Sequence, residues 1–260
     1  MKIVLFDMDG TLTLPRQKMG MMIASALGKL QREGFSVGIV TGSDMKYVEE
    51  QCDIMFDFSP VNYRTVHYFP CNGTKYYTYE PAQTELHNVS MQDCVGKEKY
   101  NQIIYKLAEN QFRMKHTLYG KEIPLTGNFI DCRGSMINWC PIGRNASKEE
   151  RNVWSDLDSK HSIRKILLDA YFKDPIYEEV EVKLGGSTSF DIFPRGWDKT
   201  YVMRHLKDYE SIYFIGDKCV DHGNDKELYE LLQKRNNCRG YITDGPKTTI
   251  SLIDQILEGK

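Results

Sequence analysis

Apolar positions along this chain switch between a period near two and a period near 3.6, and the switches outline its elements. Ile3-Val4-Leu5-Phe6 is a continuous apolar run, the mark of a strand buried on both faces. Over residues 17–33 apolar side chains recur at helical spacing (Met21, Met22, Ala24, Leu27, Leu30), and Gly34 supplies a C-cap. A second strand is expected at 35–40 and a helix over Met45–Gln51, with Asp44 as its N-cap. Strand, helix, strand, helix in this order predicts a right-handed βαβ unit on a parallel sheet.

The middle of the chain has a different character. Between 53 and 83, Phe56, Val66, Tyr68 and Phe69 fit short strands, Pro70-Cys71-Asn72-Gly73 marks a turn, and an aromatic-rich strand follows at 75–79. Composition changes near Pro81. Residues 97–111 carry a helical pattern (Tyr100, Ile103, Ile104, Leu107, Ala108), and 128–140 two strands about Gly134. Residues 147–173 read as a helix opened by a Ser147/Glu150 capping box, and 177–193 as extended chain. This block is α+β and reads as an insertion. Alternation of helix and strand resumes with a helix at 199–207, a strand at 212–215, a last strand near 241–243 and a helix at 247–257. The expected fold class is therefore α/β: a Rossmann-like core with a parallel sheet, discontinuous over 1–83 and 193–260, with an inserted α+β domain over 84–192.

Bulk properties narrow the function classes. Lys and Arg number 34 against 36 Asp and Glu, a formal net charge of −2, which offers no footprint for nucleic acid or an anionic membrane. The apolar run before Asp7 is too short for a signal-peptide core or a membrane span. Seven cysteines without a Cys-x-x-Cys read as reduced thiols of a cytoplasmic protein.

The chemistry begins where the first strand ends. Asp7 and Asp9, two residues apart in extended chain, point the same way at a strand's carboxyl end, where open α/β sheets bind ligands. Gly10 and Thr11 then turn the chain. Like charges this close call for a cation or for proton traffic. The stretch from Phe6 to Thr13 resembles motif I of the haloacid dehalogenase (HAD) superfamily of phosphotransferases. That resemblance implies Asp7 as nucleophile, Asp9 as general acid and base, and Mg2+ between nucleophile and phosphate. A carboxylate nucleophile splits phosphoryl transfer into two easier steps, and the metal screens one anion from the other. It further implies a hydroxyl after the second strand, matched by Thr41 with Ser43 as alternative, a lysine, matched by Lys199, and an acid after a late strand, matched by Asp217. Asp225, in Gly223-Asn224-Asp225, is a direct or indirect partner of the metal, whose expected set is Asp7, Asp9, Asp217 and Asp225.

The insertion carries Arg133, Arg144 and Arg151. Guanidinium groups receive phosphate bidentately, and several converging on one anion would let one domain hold a phosphate while the other transfers one. A surface pairing of Arg151 with Glu149 or Asp156 is the alternative. Ser189 and Asp191 can bond sugar hydroxyls, or simply border a turn and a strand edge. The segments Pro15-Arg16-Gln17, Asn138-Trp139-Cys140-Pro141-Ile142-Gly143-Arg144 and Ser189-Phe190-Asp191-Ile192-Phe193-Pro194, running on to Trp197-Asp198-Lys199, narrow the resemblance to the eukaryotic-type phosphomannomutases, which carry a type C2b cap. It implies Arg16, Arg133, Arg144, Arg151, Ser189 and Asp191 as substrate ligands, a hexose 1,6-bisphosphate activator, a homodimer through the cap, and mannose 1-phosphate destined for GDP-mannose. The chain departs from that pattern at Thr41-Gly42, at Cys71, across the tyrosine-rich 53–95, and at Leu231 and Leu232, where relatives hold a second ion.

Overall fold

Ile3, Val4, Leu5 and Phe6 are all fully buried, so strand β1 (Lys2–Phe6) is covered on both faces. The computed structural model describes residues 1–57, 60–115, 117–220 and 223–259. After β1 come helix α1 (Met21–Arg32), β2 (Ser36–Val40), α2 (Met45–Gln51), β3 (Val66–Phe69), β4 (Lys75–Thr78) and β5 (Thr84–Asn88). A second unit follows: α3 (Met91–Val95), α4 (Lys97–Arg113), β6 (Thr117–Leu118), β7 (Lys121–Glu122), β8 (Ile130–Cys132), β9 (Ile137–Trp139), α5 (Lys148–His161), α6 (Ile163–Tyr171), β10 (Val180–Gly185) and β11 (Ser189–Pro194). The chain returns through a 3-10 helix, Lys199–His205, to β12 (Ser211–Gly216), α7 (Lys226–Gln233), β13 (Cys238–Ile242) and α8 (Pro246–Glu258).

The first unit is a seven-stranded sheet ordered β13-β12-β1-β2-β3-β4-β5. The first five in that order are parallel, and β4 and β5 add an antiparallel hairpin. β1 has its successor β2 on one side and the late strand β12 on the other, which makes its carboxyl end a topological switch point. Alternate residues of β1 feed two cores. Val4 and Phe6 join Leu27, Leu30 and Ile253 on one face, while Ile3 and Leu5 join Phe69, Phe214 and Leu228 on the other.

The second unit has an antiparallel sheet ordered β10-β11-β9-β8. Ile137, Trp139, Phe190 and Ile192 of that sheet form its core with Ile103 and Leu107 of α4 and Trp154 of α5. The units divide after Asn88 and after Arg195 rather than near 83 and 192. The shift has a plain cause: β5 pairs with β4 as the seventh strand of the first sheet, and β11 runs on to Pro194.

Four features differ from the sequence expectation. Helix α1 begins only at Met21, because Gly20 is extended (φ −87°, ψ 155°), and Gly34 takes its positive φ one residue past the cap, Glu33. The single helix expected over 147–173 is two, broken where Ser162 turns left-handed (φ 52°, ψ 41°) and Asp158 accepts from the Arg164 N–H. The helix expected at 199–207 is 3-10, whose three-residue turn stacks the buried Lys199 and Val202 on one side. Phe56 lies in no strand; it follows a 3-10 turn at Asp53–Met55 and packs on Tyr63, Tyr68 and Tyr79.

Candidate active site

The pairing of β1 with β12 continues one residue past the strand, where the Asp7 N–H donates to Ile215 O at 3.0 Å. The chain then folds back, with Leu12 N and Thr13 N both donating to Met8 O at 2.9 and 3.0 Å. Gly10 makes the turn possible. Its φ is +88°, and a Cβ there would lie 2.4 Å from Asp217 Oδ2. That close approach carries the acid at the end of β12 up to the motif at the end of β1.

Lys199 follows the N-cap Asp198, whose side chain accepts from Thr200 N at 2.7 Å. Lys199 is 1 % exposed, and its ammonium bridges Asp7 Oδ1 and Asp225 Oδ1. Asp225 is fully buried, and its other oxygen accepts from Lys218 N at 3.0 Å. Burial is the largest influence on the Asp7 carboxyl and pushes it up. The Lys199 ammonium opposes this, Asp225 and Asp217 add to it, and the result is about 8. Asp217 is raised too, chiefly by burial. Burial works against the Lys199 charge, but Asp225 and Asp7 outweigh it and hold its pKa above the ordinary lysine value.

Asp7, Asp217 and Asp225 each offer an oxygen within 4.8 Å of the others. Three carboxylates face one ammonium, and Asp217 Oδ1 is buried with no hydrogen-bond partner among the described residues. Excess negative charge, hard oxygen donors and an orphaned oxygen fit a small divalent cation. Asp9 was expected in this ligand set, but its side chain is not part of the cluster. It stands apart, half-buried, with Tyr47 Oη donating to Oδ1 at 2.9 Å and Oδ2 at 3.1 Å, and Arg16 N donating to Oδ1 at 3.0 Å. Burial, and then the Asp9 charge, push the Tyr47 phenol up, so it is a donor at neutral pH. Thr41, buried at the end of β2, accepts from Ser43 N at 3.1 Å, and Ser43 O receives Cys71 N at 2.8 Å. The Arg16 side chain is exposed.

The second unit gathers the remaining residues on one row of its sheet. Register sets Asp131, Asn138, Asp191 and Lys183 opposite one another across β8, β9, β11 and β10. Their side chains share the face opposite Trp139 and Phe190. Arg133 Nε and Arg144 Nε both reach Asp131, at 3.1 and 3.3 Å, and Arg133 Nη1 lies 4.0 Å from Asp191. Asn138 links the set: its Oδ1 accepts from Arg144 at 3.0 Å, and its Nδ2 donates to Ser189 Oγ at 3.0 Å and Asp191 Oδ1 at 2.7 Å. Ser189 Oγ in turn donates to Gly185 O at 2.9 Å. Arg151 is buried, and donates to Arg144 O, Ala146 O and Thr188 Oγ1, so it braces the loop that carries Arg144.

The expected residues thus form two constellations, one on each unit. Sequence reasoning missed Tyr47, Asn138 and Asp131. Strand parity from Asp191 could have found the last two. Tyr47 had a fainter signal, three residues after the N-cap Asp44 at a strand's carboxyl end.

Known proteins supply the comparison. The model of the eukaryotic phosphomannomutase family matches residues 23–259. Phosphomannomutases of Encephalitozoon cuniculi and Saccharomyces cerevisiae are 35% and 36% identical to this chain, each alignment covering 98% of it and 93% of the relative. A solved IMP-nucleotidase of Plasmodium falciparum matches with a TM-score of 0.58 at 14% identity, over 99% of this chain and 68% of that one, a likeness of fold.

Proposed function

The chain belongs to the eukaryotic phosphomannomutase family, and on that footing we propose that it interconverts mannose 6-phosphate and mannose 1-phosphate through a phosphoryl group carried on Asp7. The observation that carries this reading is the guanidinium cluster of the second unit, Arg133 and Arg144 around Asp131, in a chain whose first unit already holds a lysine–carboxylate site. A simple phosphatase needs one anion site; a mutase must hold both phosphates of a bisphosphate.

In the proposed reaction Asp7 takes its phosphoryl group from a hexose 1,6-bisphosphate activator. Lys199 holds Asp7 Oδ1, which leaves Oδ2 as the attacking atom, and Thr41 and Lys199 receive phosphate oxygens. A sugar monophosphate binds with its phosphate on Arg133 and Arg144, helped by Arg16 and Arg151, and its hydroxyls toward Ser189 and Asp191. Its free hydroxyl gives its proton to Asp9 as the oxygen bonds to phosphorus and the bond to Asp7 breaks, releasing the Asp7 carboxylate. After the bisphosphate turns over, its other phosphoryl group passes to Asp7, and Asp9 returns the proton to the departing sugar oxygen. Mg2+, held by Asp7 and Asp217 with Asp225 behind them, would neutralise charge between nucleophile and phosphate. Excluding water from Asp7 keeps the phosphoryl group for the sugar.

The seven cysteines support a cytoplasmic location, and Tyr105 and Phe112, exposed on α4, suit a homodimer through the second unit. Among the described residues no helix is long and apolar enough to cross a membrane. The test is an assay of mannose 1-phosphate with Mg2+, with and without glucose 1,6-bisphosphate. The expected product is mannose 6-phosphate, formed only when the bisphosphate is present. Release of free phosphate without isomerisation would replace this reading with a phosphatase.

A further inference from the structure

A single hydroxyl, Tyr47 Oη, reaches both oxygens of the Asp9 carboxylate, at 2.9 and 3.1 Å. Resting on the phosphoryl-transfer reading above, we infer that Tyr47 is a positioning residue: it fixes the Asp9 carboxyl for proton exchange with the sugar oxygen.

Asp9 needs such a support. It sits at the start of a tight turn, outside the cluster that Lys199 ties together, and an unsupported carboxylate rotates about two side-chain bonds. The other donor to it, Arg16 N, belongs to an exposed stretch and reaches Oδ1 alone. Tyr47 comes from a firmer base. It lies in the first turn of α2, where its own N–H is held at 2.9 Å by the N-cap carboxylate Asp44. Its ring packs against the main core of the first unit.

The chemistry of the phenol suits the task. A lysine or arginine in its place would stabilise the Asp9 anion and hinder its return of the proton. A neutral hydroxyl can donate both to a carboxylate and to the carbonyl oxygen of a protonated carboxyl, and it adds no full charge that would hold the acid ionised. In the second case it leaves the acid's own O–H to point at the sugar oxygen. Tyr47 keeps its proton throughout and exchanges none.

Single-turnover phosphorylation of Asp7 in the Tyr47→Phe enzyme tests this, with two donors compared at saturating Mg2+. Glucose 1,6-bisphosphate loses a sugar alkoxide that needs a proton; p-nitrophenyl phosphate loses a nitrophenolate that does not. A hydrogen bond to a charged group implies about a 10- to 100-fold slower transfer from glucose 1,6-bisphosphate, and a change of less than about threefold from the aryl donor. In an Asp9→Asn background the same Tyr47→Phe change should slow transfer from glucose 1,6-bisphosphate no further, because the group it orients is gone. Equal loss from both donors, no loss from either, or the same added loss in the Asp9→Asn background overturns the role of Tyr47. A wild-type enzyme that phosphorylates Asp7 from neither donor overturns instead the function on which it rests.

Discussion

Lys199 is an ammonium taken out of water and shared between Asp7 and Asp225. Removing it leaves two buried carboxylates beside a third, Asp217, with no cation among them. Breaking a buried pair by deleting one partner costs about 3–5 kcal/mol. Lys199→Met keeps most of the volume, so the charge is what is lost, and urea unfolding in metal-free buffer should show a loss of that size. The pH dependence follows from the raised Asp7 carboxyl. A group whose folded pKa lies above its unfolded value contributes stability that is full below the unfolded value and is lost as pH rises through the folded one. Here that window runs from the ordinary carboxylate range up to about 8. The deficit of Lys199→Met should therefore be smaller at pH 5 than at pH 8. A deficit that does not change with pH would mean that Lys199 serves the fold by packing alone. At this scale the site was legible where a reactive side chain directly follows an apolar strand, as Asp7, Thr41 and Asp217 do. Tyr47 was hidden, because an aromatic residue on a helix reads as core until its hydroxyl is seen to end on Asp9.

Helices and strands decide which of these side chains meet. In the second unit the antiparallel register does the gathering, for it lines up Asp131, Asn138 and Asp191 without any local sequence motif. Asn138 then couples Arg144 of one loop, the arginine proposed to bind phosphate, to Ser189 and Asp191 of another strand. Asn138→Ala should raise the KM for mannose 1-phosphate by about 10-fold or more, as expected for lost hydrogen bonds to charged groups. Phosphorylation of Asp7 from p-nitrophenyl phosphate should hold near the wild-type rate, since that donor has no second phosphate to place. An unchanged KM would separate Asn138 from substrate. Element types were legible wherever the local pattern is strong, as in the continuous apolar run of β1, the one apolar face of α4 and the capping box of α5. They were lost where tertiary contacts override local preference. Ser162 breaks a helical pattern because Asp158 takes the Arg164 N–H and guanidinium, and Arg164 in turn binds the carbonyls of Gly186 and Ser189. No periodicity in 147–173 announces that contact. The 3-10 form of Lys199–His205 is of the same kind, set by a buried lysine that has to reach two acids.

Each unit of the molecule carries a core of its own, and the backbone crosses between them at only two places, after Asn88 and after Arg195. The first unit holds Asp7, Lys199, Asp217 and Asp225; the second holds Arg133, Arg144 and Arg151. An insertion could be read from the sequence because the α/β pattern stops near Pro81 and resumes at Trp197. Its limits could not, because β5 differs from inserted chain only in what it pairs with. Separate cores imply separable stabilities. Leu107, fully buried in the second core, gives the means to test this. Leu107→Ala should cost about 2–5 kcal/mol, the usual range for such a cavity. Two of the three tryptophans, Trp139 and Trp154, lie in that same core, so their fluorescence reports its unfolding. On heating the variant, the fluorescence transition should fall well below that of wild type. The temperature at which Mg2+-dependent phosphorylation of Asp7 from p-nitrophenyl phosphate is lost should fall much less. Over the interval between the two, the protein would accept a phosphoryl group on Asp7 yet fail to isomerise mannose 1-phosphate, because the arginines proposed to hold the far phosphate would have lost their frame. Coincident loss of fluorescence and phosphorylation would show one cooperative unit instead, and would place the division of labour in the site alone.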